Sequence, residues 1–447
     1  MERRHGPGVR GRPPALAGSA SGAGSRLLRL AGAAAALRAL PLLAALAASP
    51  AGAQTVLDLD PSVRAAGAGG ASNAVFWGGD PSAWANPALL GYDRGLRYDY
   101  GRTRLVPDLA PDVWFETQRF RAGIGGVGVL LAGKPDGLGK IDLDYGRSAG
   151  TDPSGNPITY HAFERVQTWG AGVSLAELAS SIMRLAGSRP PEFLRRFDVA
   201  AGMTRKDALL VLDPGIAAGG TRATDVGLLL RVTPFDSFEG AAPPAPHPWR
   251  WPRARDPRAR DPHERPFPIV GRPRTPGLRR LDLAYGFSIQ DANDATITFG
   301  DAGSAPAPRI YRHGLAARFI SGAASRRGGP GARSTPAPPL AAGLSADLEH
   351  IQPRAAGERS YDVRRYGAEL MLANMLSLRA GYVDDRQSRI RGVTTGMGLS
   401  YQLANYAGAR WDWAHVPQVN GLRRLERHGF TLWLDPIAMM KAARSRG

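Results

Sequence analysis

Between about residues 94 and 435 the chain alternates apolar and polar positions with a period of two. Leu96, Tyr98 and Tyr100 alternate with Arg97, Asp99 and Gly101, and Val113, Phe115 and Thr117 with Trp114, Glu116 and Gln118. Ile141, Leu143 and Tyr145 flank Asp142 and Asp144. The same pattern recurs at Leu281–Ile289, Leu376–Tyr382 and Phe430–Leu434. Some 13 to 16 such segments, separated by turn signals such as Asp152-Pro153-Ser154-Gly155-Asn156-Pro157, predict an all-β chain. Glycines recur inside the segments, as at Gly128, Gly172, Gly202, Gly227 and Gly286. Such glycines weaken a small packed sandwich and suit a curved, closed sheet, where they relieve crowding at bends. Aromatic residues near segment ends (Tyr98, Trp114, Trp169, Tyr382, Tyr401, Trp411, Trp413, Trp433) fit the girdles of an outer-membrane barrel, although β-propensity alone also favours them.

Three stretches fall outside the pattern. Residues 1–53 open with basic, Gly/Pro-rich sequence, continue in an apolar run from Leu30 to Ala48, and end Ala51-Gly52-Ala53 before Gln54. That order predicts an export signal cleaved between Ala53 and Gln54. After Arg38 the apolar stretch is too short for the ~20 residues of a spanning helix. The basic lead is long for such a signal, as if translation began downstream of Met1. No other long apolar run exists, so an exported chain of this kind is either soluble or a β-barrel. The second stretch, about 240–277, holds eleven prolines and a short duplication, Arg253–Pro257 and Arg258–Pro262. The third, about 322–340, is rich in Gly, Ala, Pro and Arg. Both read as disordered loops; a basic arm touching lipid phosphates or a partner is the functional alternative. A short helical patch at Ala176–Ala186, with apolar residues at 178, 182 and 185, belongs in a loop or at a barrel rim.

Composition changes the picture in two ways. The 447 residues contain no cysteine, which excludes a disulfide scaffold, a thiolate metal site and a thiol nucleophile. Eight His are scattered, none in a tight ligand pair, so neither a metal nor a cofactor site is expected. The net charge of +18 first suggests nucleic acid. Yet residues 1–53 carry seven Arg against one acid, and 240–280 carry ten against three, together +13 of that +18. The rest is near balance, and 53 of the 57 basic residues are Arg, as GC-rich coding would give. Neither a basic face nor a nucleic-acid partner is expected. There is no GxSxG elbow. Asp142 and Asp144 share one strand face and read as lumen-facing polar positions rather than a catalytic pair. The chain is therefore not expected to be an enzyme.

The segment Arg64-Ala65-Ala66-Gly67-Ala68-Gly69-Gly70-Ala71-Ser72-Asn73-Ala74-Val75, followed by Asp80-Pro81-Ser82-Ala83-Trp84-Ala85-Asn86-Pro87-Ala88-Leu89-Leu90, resembles the N-terminal motif of the PorV/PorQ family. That family lies within the FadL-like outer-membrane barrels. Asp225–Leu229, Tyr285–Asp291, Tyr366–Leu370 with Leu376–Tyr382, and Gly396–Tyr401 with Asp412–Ala414 resemble later strands of the family in the same order. The resemblance implies a transmembrane antiparallel barrel of about 14 strands over 95–435 and an N-terminal luminal hatch over 54–94; a basic tail over 436–447 follows the barrel in this sequence. It implies an integral protein of a diderm outer membrane, non-enzymatic, in contact with lipid and acting in protein secretion of the type IX kind with secretion components or cargo as partners. The alternative is a FadL-like channel for hydrophobic small molecules. Asp80, Asn86, Pro87 and Ala88 would lie in the hatch. Pro87 fixes its own backbone and biases Asn86 to extended geometry, so these residues read as structural rather than substrate-contacting. Two features depart from the pattern: the Pro436 and basic tail after the last strand, and the Arg/Pro loop at 240–277.

Overall fold

The computed structural model describes residues 56–108, 110–133, 139–151, 156–213, 217–236, 277–298, 304–322, 340–355, 357–404, 406–419 and 422–444. The leader, with Ala53 and Gln54, lies outside them. So do the loops expected near 240–277 and 322–340, except Gly277, Gly322 and Leu340, which are strand residues. The strand segments are β1 (Gly95–Arg104), β2 (Trp114–Ile124), β3 (Val127–Ala132), β4 (Lys140–Thr151), β5 (Pro157–Ser174), β6 (Phe197–Asp213), β7 (Ala217–Asp236) and β8 (Gly277–Gln290). They continue as β9 (Thr296–Thr298), β10 (Ser304–Pro306), β11 (Arg309–Gly322), β12 (Leu340–Gln352), β13 (Tyr361–Leu372), β14 (Leu376–Asp385), β15 (Ile390–Ala404), β16 (Ala407–Val416) and β17 (Leu425–Leu434).

All seventeen belong to one antiparallel sheet that closes on itself, because β17 pairs with β1 from Leu96↔Leu434 to Thr103↔Arg427. β3 and β4 are two halves of one wall strand, since both pair with β2 and both with β5. β9 and β10 form a hairpin beyond the wall, pairing with it at Gly220↔Thr298. The wall therefore has fourteen antiparallel strands. Closure leaves no exposed sheet edge, the condition for a sheet in lipid. No described helix is long and apolar enough to cross a membrane.

The alternation sorts the side chains as a membrane demands. On β2 the inward residues Phe115, Thr117, Arg119 and Arg121 are buried, while Trp114, Glu116, Gln118 and Phe120 look outward. On β12 Leu340, Leu344 and Leu348 are exposed outward, and Asp347 and Glu349 are buried inward. Leu340 to Leu348 is about 26 Å of strand at ~3.3 Å per residue, or some 20 Å of height at barrel tilt. An apolar outside around a charged inside is the arrangement of an integral outer-membrane barrel.

Three sequence expectations change here. Asp142 and Asp144 do not face the lumen. Ile141 and Leu143 do, buried in an apolar cluster, because this end of the lumen is filled by hydrophobic chain rather than water. Of the aromatics assigned to the girdle, Trp433 faces inward against Gly408, its register partner. The strand glycines serve less to bend the wall than to admit another backbone.

Among the described residues four α-helices lie off the wall: α1 (Val63–Gly67), α2 (Leu175–Leu185), α3 (Phe193–Arg196) and α4 (Pro436–Arg444). The helical patch read from the sequence is α2, in the connection from β5 to β6. The tail expected after the last strand is helical from Pro436.

Candidate functional site

Residues 56–94 are almost continuously buried against the inward face of the wall. A row of glycines makes that possible. Gly123↔Gly128, Gly128↔Gly172, Gly172↔Gly202, Gly202↔Gly227 and Gly286↔Gly314 are register partners, so glycine passes from strand to strand at one level. A Cβ at Gly128 would stand 1.9 Å from the Leu90 carbonyl oxygen. One at Gly202 would stand 2.3 Å from that of Pro87. On the opposite wall Gly367, Gly381 and Gly396 receive Ala68, Gly69 and Gly67 in the same way. The inner segment is thus held backbone to backbone, at distances no side chain permits.

Asn86, Pro87 and Ala88 sit at the centre of this contact. Asn86 is extended and caps the 3₁₀ turn Pro87–Tyr92, its Oδ1 accepting from Ala88 N at 3.0 Å. Its Nδ2 donates to Asn73 O at 2.9 Å and to the wall carbonyl of Leu228 at 3.1 Å. Asn73 Nδ2 donates to wall carbonyls of Gly286 and Arg312, while its N–H and that of Ser72 donate to the Asp347 carboxylate. Ser288 donates to Ala85 O and Gln290 to Trp84 O, each at 2.7 Å. Two asparagines thus bridge backbone groups of segment and wall, their own buried amides satisfied in doing so.

Asp80 anchors the other side. It accepts from Ser62 Oγ at 2.8 Å and faces Arg121 at 3.2 Å and Arg119 at 3.6 Å. Burial by itself would raise its pKa. Arg119 and Arg121 outweigh that and hold its carboxyl well below the usual carboxylate range. The fully buried Arg121 side chain also reaches Asp93 at 2.9 Å and Asp99 at 2.8 Å. Opposite, Glu369 pairs with Arg64 of α1 and with Arg379, which meets Asp412 at 2.9 Å, and Asp412 meets Arg410 at 2.8 Å. Asp80 and Arg64 lie in the motifs read from the sequence; their wall partners Arg119, Arg121, Glu369, Arg379, Arg410 and Asp412 were missed as ion-pair residues. The signal was present as Arg, Asp and Glu at alternate positions of apolar strands, on the face opposite the lipid-facing residues.

At one point the interface is apolar. Val56, Leu57 and Trp84 pack with Phe115, Ala132, Ile141, Leu143 and Val166. These wall residues line the junction where β3 ends at Ala132 and β4 begins at Lys140. The ladder on β2 runs on without a gap, since Arg119 pairs Ala132 and Gln118 pairs Lys140. Gly133 and Gly139, which flank this junction, both have positive φ and lie against each other. Trp84 Nε1 donates to Leu57 O at 2.9 Å, and Val56 N donates to Glu164 at 2.6 Å.

Asp58 follows directly. Burial pushes its carboxyl up to about 7, against the lowering effect of Lys206 and Arg312. An unfolded aspartate titrates near ~3.9. The protonated form therefore favours the folded state, and that stability is present below ~4 and lost as pH rises toward 7. The temperature at which the folded band disappears on gels is expected to fall between pH 5 and pH 8. Asp58→Asn is expected to remove about 1 kcal/mol of that dependence, discounted because the residue is half-buried.

Chemically the site offers anchoring rather than reaction. Among the described residues no cluster of His, Asp and Glu could hold a metal. The crevice beside Arg64, Trp77 and Glu369 measures about 20 Å³, room for roughly one water. Asp80, Asn86, Pro87 and Ala88 are brought together along one buried segment, each against the wall or its own turn.

No family model and no curated protein matches the sequence. Among solved structures the fold is similar to the Pseudomonas putida toluene transporter TodX, at 11% identity over 85% of this chain and 98% of that one, with a TM-score of 0.32. It is also similar to the Ralstonia pickettii toluene transporter TbuX, at 12% over 84% and 98%, TM-score 0.36. A Pseudomonas aeruginosa FadL homologue aligns at 10% over 84% and 98%, TM-score 0.32. Likeness at these values carries no argument about function.

Proposed function

We propose that this chain is an outer-membrane channel for hydrophobic small molecules, with residues 54–94 as its luminal hatch and a sideways exit where β3 passes to β4. The observation that carries the reading is the apolar cluster at that junction. A route for an apolar solute needs apolar walls, and Phe115, Ala132, Ile141 and Leu143 supply them beside the interruption between β3 and β4. Val56 and Leu57 occupy the position such a solute would take. Signal cleavage between Ala53 and Gln54 would leave two residues ahead of the seated Val56. The end of the barrel holding Gly95 and Leu434 faces the periplasm, because an exported chain need not carry either terminus across the membrane. Asp80, Asn86, Pro87 and Ala88 fasten the hatch.

The secretion role implied by the PorV/PorQ resemblance rests on the motifs at 64–75 and 80–90 and on likenesses in later strands. Arg64, Ser72, Asn73, Asp80 and Asn86 of the two N-terminal motifs bond to the wall, which supports a seated hatch and does not choose a cargo. Uptake of N-phenyl-1-naphthylamine by intact cells tests the channel. Cells with the wild-type chain are expected to take it up several-fold faster than cells without it. Leu57→Ala should raise the rate and Ala132→Phe lower it, with the heat-dependent gel shift retained. No gain over cells lacking the chain, with the barrel folded, would remove the channel reading and leave secretion.

A further inference from the structure

Helix α2 presents an apolar face that no described residue covers. Leu175, Leu178, Ile182 and Leu185 recur at helical spacing along one side. Leu175 is 55% exposed, Ile182 57% and Leu185 89%. The opposite side, Ala176 and Ser180, is buried against the barrel, with Ala176 N held by Asp198 and Ser181 beside Gly125. Ser174 caps the helix through Glu177 N, and Glu177 is tied to Arg94, so the helix is fixed at the rim.

The position of the face identifies its occupant. β5 turns Trp169, Ala171 and Val173 outward, and Leu175 continues that row into the helix. Around it lie other outward apolar residues of the same rim: Ile124, Val127, and Phe193 and Phe197 from α3 and the start of β6. The apolar face is thus an extension of the surface that already meets lipid. Arg184, Arg189 and Arg195 stand exposed beside it, with no carboxylate partner among the described residues. Acyl chains below and phosphates above is what such a face fits.

We infer that α2 lies in the periplasmic leaflet, its apolar side among phospholipid acyl chains and its arginines at the phosphates. It would hold the rim at a fixed depth beside the β3–β4 side of the barrel. The inference rests on the membrane-spanning reading above.

The absence of cysteine makes the test clean. Single variants Ile182→Cys, Leu228→Cys and Ser360→Cys are labelled with an environment-sensitive fluorophore and placed in phosphatidylcholine vesicles carrying doxyl groups at carbon 5 or carbon 14. Leu228 is on the lipid-facing belt and Ser360 is in an exposed loop at the other end. The label at 182 should be blue-shifted and quenched at least twofold more by the 5-doxyl than by the 14-doxyl lipid, with the label at 360 unquenched. Quenching at 228 but not at 182 overturns the inference alone. Within that outcome, a blue-shifted and iodide-protected label at 182 means a protein covers the face, and an iodide-accessible one means water does. No quenching at 228 overturns the membrane-spanning reading itself.

Discussion

Gly202→Val is expected to unseat the inner segment while leaving the wall closed. The added carbons would meet Pro87 O at 2.3 Å, Pro87 C at 2.4 Å and Ala88 N at 2.7 Å, all of them backbone. No rotamer change relieves a backbone clash. Pro87 cannot retreat either, because Asn86 is bonded to both Asn73 and Leu228. Overpacking in a well-filled core costs ~1–3 kcal/mol, and rigid neighbours on both sides place this case at about 3 or above. The pairing of β6 with β5 and β7 uses main-chain groups that the substitution leaves in place. The variant should therefore still insert and still shift on heating. It should conduct ions in planar bilayers where the wild type stays nearly silent, and its segment 56–94 should become cleavable by added protease. Gly220→Val is the control, since the nearest atom to a Cβ there is Ala208 O at 3.6 Å. Equal conductance in the two variants would mean the glycine row is not what seats the segment.

The barrel was legible because its cause is local. Period-two alternation with apolar residues on one face reports lipid on that face, and lipid is present wherever the chain folds. Counting such segments gave 13 to 16, a range that holds the fourteen of the wall. The lumen was less legible because its partners are remote in sequence. Gly202 and Pro87 are both visible as residues, yet nothing local says that one is empty to receive the other. The error at Asp142 and Asp144 has the same root. Alternation gives two faces and does not say which is inside, and the usual assignment of carboxylates to the lumen fails where hydrophobic chain fills it. The extended backbone at Asn86 was legible for the opposite reason, since a following Pro restricts those angles whatever surrounds them.

The buried ion pairs make the sharpest energetic claim. Arg121→Met is expected to destabilise the folded barrel by about 3–5 kcal/mol, because three carboxylates would lose the cation they share in a place water does not reach. Asp99 would keep its bond from Thr431 at 2.8 Å, Asp80 would keep Arg119 at 3.6 Å and Asp93 would keep Arg97 at 3.7 Å. None of these replaces the contacts at or below 3.2 Å that Arg121 supplies. The contrast is Arg94→Ala. That pair with Glu177 also measures 3.0 Å, but the arginine is 71% exposed, and exposed pairs contribute ~0–1 kcal/mol. Equal distances with unequal burial should thus give effects several-fold apart in urea unfolding from lipid vesicles. Because Asp80 and Asp93 belong to the inner segment and Asp99 to β1, the loss in Arg121→Met should show first as protease access to residues 56–94 and only at higher urea as loss of the barrel. Simultaneous loss of both would mean that segment and wall unfold as one unit, and that the arginine holds the wall together rather than fastening the inner segment to it.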